Sequence, residues 1–360
     1  MASTTSTTGQ QAIEGSRTTA EGLRRAIARL PRVPLANLPT PLDDCPRLSA
    51  ALGGPRIMIK RDDLTGLAFG GNKTRKLELN FGEARQRGAD VVVGTAAAQS
   101  NHCRQTAAAA ARLGLACHLL LRGGQKDGRP AQGNLLLDDL LGAEVRLLYG
   151  EALERWPETV AAYMEQLRGR GHVPYQVMNT LESDRLGAVA YMGAFLELQE
   201  QLRDVAAQRG GPGAVRIYLA SLGGTGGGLA LAAKLLAPEM RVVCFTPMDS
   251  VALRLPKLLA EANAAAELLG IPERLEAGDL TMHDETIGAG YGIPTAEGTD
   301  ALRLVARQEG ILLDPVYTAK AMAGLIDHIR RGVVGRDETV VFVHTGGLPA
   351  LFAYNGELTA

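Results

Sequence analysis

Three short segments combine residue types that can do chemistry together. The first is Phe69-Gly70-Gly71-Asn72-Lys73-Thr74, a glycine turn that delivers a lysine to the start of a helix. A cation is poorly placed at the positive end of a helix dipole, which favours the neutral amine that a Schiff-base lysine needs. Lys60, at the end of Arg56–Lys60, is the competing lysine, with Asp62 and Asp63 beside it as ion-pair partners. On residue type alone the two stand level. The second segment, Ser221-Leu222-Gly223-Gly224-Thr225-Gly226-Gly227-Gly228, joins a strand to a helix. Backbone N–H groups at such a turn make a phosphate site, and a merely tight turn is the alternative. Leu229 stands where a dinucleotide motif needs its third glycine, and no Gly-Lys-Ser/Thr follows, so a single phosphate fits better than a nucleotide. The third segment, Gln99-Ser100-Asn101-His102, caps a helix and offers a hydroxyl and N–H groups to a carboxylate, although Ser and Asn are also ordinary caps.

These segments need a scaffold, and the chain supplies an alternating one. Strands are expected at 56–60, 90–95, 116–121, 144–148, 175–178, 215–220, 241–245 and 339–344. Helices are expected at 73–88, 101–113, 132–141, 151–170, 186–203, 227–236, 251–269, 296–308 and 318–331. Strand–helix alternation with short connections implies parallel strands and a doubly wound α/β architecture, with ligands in the cleft at the strand ends. Pro31, Pro34, Pro39 and Pro41 read as an extended arm packed on the body.

At 360 residues, with 46% hydrophobic and 21% charged residues, the chain can build two lobes. A net charge of −1 leaves no basic footprint for nucleic acid or an anionic membrane. The four cysteines (45, 103, 117 and 244) are scattered, with no histidine at ligand spacing, so reduced buried thiols and no metal are expected. No apolar run reaches the ~20 residues of a membrane span. The Ser/Thr-rich N-terminus lacks a secretory h-region, and Glu14 and Glu21 argue against a transit peptide. A cytoplasmic protein with a disordered tail over residues 1–30 is the expectation.

Taken in order, Pro39-Thr40-Pro41-Leu42, Ile59-Lys60-Arg61-Asp62-Asp63, Gly70–Lys73, Gln99–His102, Gly290-Tyr291-Gly292-Ile293-Pro294, Asp314-Pro315-Val316-Tyr317 and His344-Thr345-Gly346-Gly347 resemble one family. It is the pyridoxal-phosphate enzymes of the tryptophan synthase β-subunit fold (fold type II), within them the branch of D-cysteine desulfhydrases and aminocyclopropane-carboxylate deaminases. The resemblance covers about residues 34–354. It implies a two-domain α/β fold of parallel and mixed twisted sheets flanked by helices. Residues 31–76 and 186–360 would form the large cofactor domain and 77–185 a small inserted one, and by the same resemblance such chains would pair as a homodimer.

The resemblance also distributes roles. Lys73 would carry pyridoxal 5′-phosphate, with Asn72 beside it. Asn101 would bond the ring hydroxyl, and Gly223, Gly224, Thr225, Gly226 and Gly227 would hold the phosphate. Ser100, Asn101, His102, Tyr291 and Tyr317 would face a small amino-acid substrate, with Ser100 and the two tyrosines also in proton transfer. Thr318 and Thr345 stand where deaminases carry Glu and an apolar residue, which implies a desulfhydrase: without a carboxylate partner the ring nitrogen is a weaker electron sink. The implied reaction is β-elimination, D-cysteine giving pyruvate, sulfide and ammonia. Deamination of aminocyclopropane carboxylate, release of sulfite from cysteate, and cofactor binding without turnover are its alternatives. One stretch departs from the family: Leu181-Glu182-Ser183-Asp184 replaces Gly-Gly-Ser-Asn, and Ala190 a further glycine, which would either bring two carboxylates near the cleft and reshape the pocket for a different, cationic substrate or turn the loop outwards.

Overall fold

The computed structural model describes residues 18–123, 131–209 and 213–359. Two sheets organise the chain. The larger contains β1 (Leu42–Asp44), β2 (Arg56–Lys60), β7 (Val215–Ala220), β8 (Arg241–Phe245), β9 (Thr281–His283) and β10 (Thr339–Val343), in the order β1-β2-β10-β7-β8-β9. The smaller contains β3 (Val91–Ala97), β4 (Ala116–Arg122), β5 (Glu144–Leu148) and β6 (Pro174–Val177), in the order β5-β4-β3-β6. The small sheet is wholly parallel. In the large one only β1 runs antiparallel, to β2. The central strands are continuous apolar runs, as sheets covered on both faces require: β10 is buried at every position, and so is β3 up to Ala96.

Most expected elements form within a few residues of their expected bounds. The helix expected at 186–203 is longer, Leu181–Arg209, and that at 151–170 is broken at Arg155, where Trp156-Pro157 starts a new helix. The tail expectation needs correction: Ala20–Ala28 is a helix, capped by the Thr19 hydroxyl and anchored by fully buried Leu23. Residues 1–17 lie outside the described residues. The proline arm is held by the buried Glu78 carboxylate, which accepts the N–H groups of Leu35 (2.8 Å) and Ala36 (2.9 Å). All four cysteines are buried and free. Among the described residues no helix is long and apolar enough to cross a membrane.

Candidate active site

The lysine turn is an unusual piece of backbone. Leu67, Ala68, Phe69, Gly70 and Gly71 all have positive φ, a conformation that costs L-residues of order 1–3 kcal/mol each unless their surroundings impose it. Arg104, fully buried in the helix Asn101–Leu113, imposes it by donating to the carbonyls of Ala68 (2.6 Å) and Gly70 (3.0 Å). The Thr65 hydroxyl accepts the Gly71 N–H at 2.8 Å. From across the sheet, the carbonyl of Thr345 accepts the Asn72 N–H at 3.0 Å. A Cβ on Gly346 would sit 2.7 Å from the Gly71 Cα, so the two loops interlock only through glycine.

Lys73 then opens the helix Asn72–Gln86 and faces the cleft. Its amine is pushed down to about 7, first by burial and second by the charge of Lys76. The expected depression is present, although burial, rather than the helix dipole, is its main cause. Lys60 is differently employed. Its ammonium is held by the Thr40 carbonyl (2.7 Å), Glu197 and Gln201 (2.7 Å). Asp62 and Asp63, expected to pair with it, are bonded to Arg75 and Arg61 instead.

The glycine loop leaves β7 and turns on Ser221, whose hydroxyl accepts the N–H groups of Gly226 (3.0 Å) and Gly223 (3.3 Å). Its helix, Gly224–Leu236, begins three residues earlier than expected, so Thr225, Gly226 and Gly227 form the positive first turn. Asn72 Nδ2 donates to Thr225 Oγ1 at 3.0 Å, joining the lysine turn directly to this loop. Glu261 accepts the Gly224 N–H at 2.5 Å. Burial, then the Asp184 charge, raises that carboxyl to about 7.

A cavity of about 470 Å³ separates this wall from the smaller sheet, and Ser100, Asn101, His102, Tyr291, Tyr317 and Thr345 all line it. Ser100 caps its helix through the Cys103 N–H (3.2 Å). The Asn101 amide oxygen is fixed by Asn134 at 2.9 Å, which leaves its nitrogen to donate elsewhere. Both His102 ring nitrogens are buried without a partner, and burial holds the ring far below the usual imidazole range, hence neutral. The Tyr291 and Tyr317 hydroxyls share a short hydrogen bond, their rings 5.9 Å apart and edge-on. Burial raises both phenols, so both keep their protons.

Known proteins similar to this chain are numerous. The family described as pyridoxal-phosphate dependent enzyme matches residues 33–346. The chain belongs to that family. D-cysteine desulfhydrase of Klebsiella pneumoniae (strain 342) is 42% identical over 339 residues, 92% of this chain and 98% of its own. The same enzyme of Salmonella newport (strain SL254) is 40% identical over 333 residues, 91% and 98% of the two chains. A solved structure of an ACC deaminase homologue superposes with a TM-score of 0.82 at 34% identity, covering 94% of this chain and 98% of its own.

The residues present fit pyridoxal phosphate. A neutral-poised lysine, a helix-start glycine loop and an unpartnered neutral imidazole face one cavity. The loop has no room for side chains: a Cβ at Gly224 would lie 2.7 Å from the Ala188 nitrogen, and one at Gly226 2.5 Å from Cys244 Sγ. Gly224→Ala must displace backbone, at about 1–3 kcal/mol. It is expected to weaken cofactor affinity roughly 5- to 150-fold, read by titrating the apoenzyme with pyridoxal phosphate.

Two expectations about this pyridoxal-phosphate site change. Only Asp184 of the Leu181–Asp184 stretch enters the cleft, 3.4 Å from Lys76; Glu182 turns outwards, with its side chain 64% exposed, to Arg87. The cause is that these residues begin a helix, with Ser183 locked inwards on Asn80 (2.6 Å) and on the Met178 N–H (2.7 Å). Thr318 lies outside the cavity lining. It is fully buried, and its hydroxyl donates to Asp314 Oδ1 at 2.7 Å and accepts the Asp314 N–H at 2.8 Å. The sequence reading missed Lys76, Arg122, Arg254 and Glu261 as cleft residues and Arg104 as the clamp on the lysine turn. An arginine two residues beyond the Ser-Asn-His turn, ahead of an alanine run, was the one local signal for Arg104.

Proposed function

We propose that this enzyme is a D-cysteine desulfhydrase, converting D-cysteine and water to pyruvate, hydrogen sulfide and ammonia. The observation that carries the reading is the meeting of Lys73, Ser100 and the Tyr291–Tyr317 pair in one cavity, in a chain at least 40% identical to D-cysteine desulfhydrases along nearly its whole length. When bound, pyridoxal phosphate supplies an electron sink that acidifies the Cα proton of an attached amino acid. Ser100 and the N–H groups of the helix it caps hold the substrate carboxylate. Lys73 Nζ, poised near neutrality, takes the Cα proton. Of the bonded pair Tyr291 and Tyr317, both protonated, the hydroxyl that is not donating to its neighbour donates at the sulfur as it departs. Asn101, Asn72 and His102 would hold the cofactor ring, Asn101 at the ring hydroxyl, and Gly223 to Gly227 would hold its phosphate. Thr345, which lines the same cavity, would face the cofactor from the loop after β10.

The two sheets support a large domain of residues 31–76 and 186–360 and a small one of residues 77–185. A cytoplasmic homodimer completes the proposal.

The test is a product assay on purified protein. Sulfide and pyruvate should appear in equal amounts from D-cysteine. Formation of 2-oxobutyrate from aminocyclopropane carboxylate, or sulfite from cysteate, with D-cysteine left intact would overturn the substrate.

A further inference from the structure

Outside the cleft, three side chains that local spacing does not connect come together at the edge of the large sheet. His283 ends β9, Glu285 follows two residues later, and His328 comes from the last turn of the helix Thr318–Arg330. One ligand atom from each lies within 4.8 Å of the others. His283 Nδ1 is 3.0 Å from Glu285 Oε1, and His328 Nε2 is 3.9 Å from the same oxygen. Bonds of ~2.0–2.2 Å to one tetrahedral ion separate its ligand atoms by roughly 3.3–3.6 Å, a value these two distances bracket.

The surroundings orient the rings as metal ligands are usually oriented. The hydroxyl of fully buried Tyr218 bonds His328 Nδ1 at 3.0 Å, which leaves Nε2 to face His283 and Glu285. Phe245 stacks on His283 with centroids 5.1 Å apart and packs 5.5 Å from His328. Phe245 is itself seated on Gly324, where any Cβ would collide with its ring. The Glu285 side chain is 48% exposed, so the group is rigid behind and open in front.

We infer that His283, Glu285 and His328 bind one divalent transition-metal ion of the zinc type, with water completing its coordination. Two imidazoles and one carboxylate are borderline donors that suit Zn²⁺ or Co²⁺ rather than Mg²⁺ or Ca²⁺. His328 lies eleven residues along from Tyr317, the cleft residue that caps its helix, so the site is roughly 16 Å from the cleft and structural in role. The ion fastens β9 to that helix where the chain sets out towards Tyr291. Further along the same segment, Lys320 already holds the carbonyls of Ile287 (2.7 Å) and Gly290 (3.1 Å).

The experiment uses tag-free holoenzyme stripped by chelator and titrated with CoCl₂ or ZnCl₂. Cobalt should give ligand-field absorption saturating at one ion per chain. Zinc in hundredfold excess over its Kd should raise the thermal midpoint by roughly 3–4 °C. His283→Asn and His328→Gln should each abolish both signals, while His172→Gln, a surface histidine paired with Asp90, leaves them intact. His283→Asn removes a partly exposed ring, so a folding defect in His328→Gln would leave the test standing. The cofactor's visible band should be unchanged throughout, which separates this inference from the proposed reaction. No cobalt spectrum in the parent protein would mean a hydrogen-bonded His–Glu cluster and nothing more. A spectrum that survives both variants would place the ion elsewhere. Either result overturns the inference.

Discussion

Lys73→Ala is expected to remove the visible absorbance of the bound cofactor and to lower turnover by at least ~10³-fold. That follows from losing both the covalent attachment and a general base worth 10²–10⁴-fold alone. Lys60 cannot substitute, because its ammonium is enclosed by Thr40, Glu197 and Gln201. The check is a spectrum of the purified variant and single-turnover assays with D-cysteine. A variant that keeps both its band and its turnover would return the role to another amine. The pH dependence adds a second reading. With the amine at about 7, capture of the cofactor aldehyde by apoenzyme should accelerate as pH rises through neutrality, since only the free base attacks.

Arg75→Met is expected to destabilise the fold by about 3–5 kcal/mol, the cost of leaving buried charge uncompensated. The Arg75 guanidinium bonds Asp62 at 2.9 and 2.8 Å, Glu197 at 2.9 and 3.0 Å, and the Thr40 hydroxyl at 3.0 Å. It thereby ties the proline arm, the turn after β2 and the helix Leu181–Arg209 to the helix that carries Lys73. Burial alone would raise the Asp62 carboxyl, but Arg75, through its charge and hydrogen bonds, holds it below the usual carboxylate range; Glu197 is held low in the same way. Both native values lie below the unfolded ones, so this stability is present above about pH 4 and lost as pH falls through the depressed values. Urea unfolding at pH 7 should show the loss in the variant. Acid titration should show a shallower decline than in the parent, and equal stability of the two proteins at pH 7 would contradict the assignment.

Much of the fold was legible because it is written locally. Short apolar strand runs alternating with helices place β3, β4, β7, β8 and β10 within two residues, and Gly114 ends its helix in the left-handed conformation that its position promised. What escaped was tertiary. The helix Ala20–Ala28 has a short apolar face of Ala20, Leu23 and Ile27, and at nine residues its stability comes from docking that face on the core rather than from the segment alone. β1 and β9 are three-residue strands that exist by pairing with a neighbour. In the site, the lysine, the glycine loop and the capping serine announced themselves through backbone demands. Glu261 and Arg254 reach the cleft from a helix with no motif. Thr318 carried a role on the strength of its position, but its hydroxyl is committed to Asp314. Lys60 shows the same limit: its partners come from residues 197 and 201 rather than from the aspartates beside it.

The order of strands in the large sheet also governs when a chain leaving the ribosome can become an enzyme. β10 is the last strand in sequence but lies between β2 and β7, and the loop after it supplies the Thr345 carbonyl and Gly346 against which the Lys73 turn is seated. Until about residue 347 has emerged, the two halves of that sheet have no shared strand, and the lysine has no frame. The reactive amine is thus assembled only after β10, which follows every other described strand in the chain, has been made and has joined the two halves. A nascent chain therefore meets free aldehydes in the cell with an ordinary lysine, and a chain cut short before Thr339 lacks the keystone of its larger sheet.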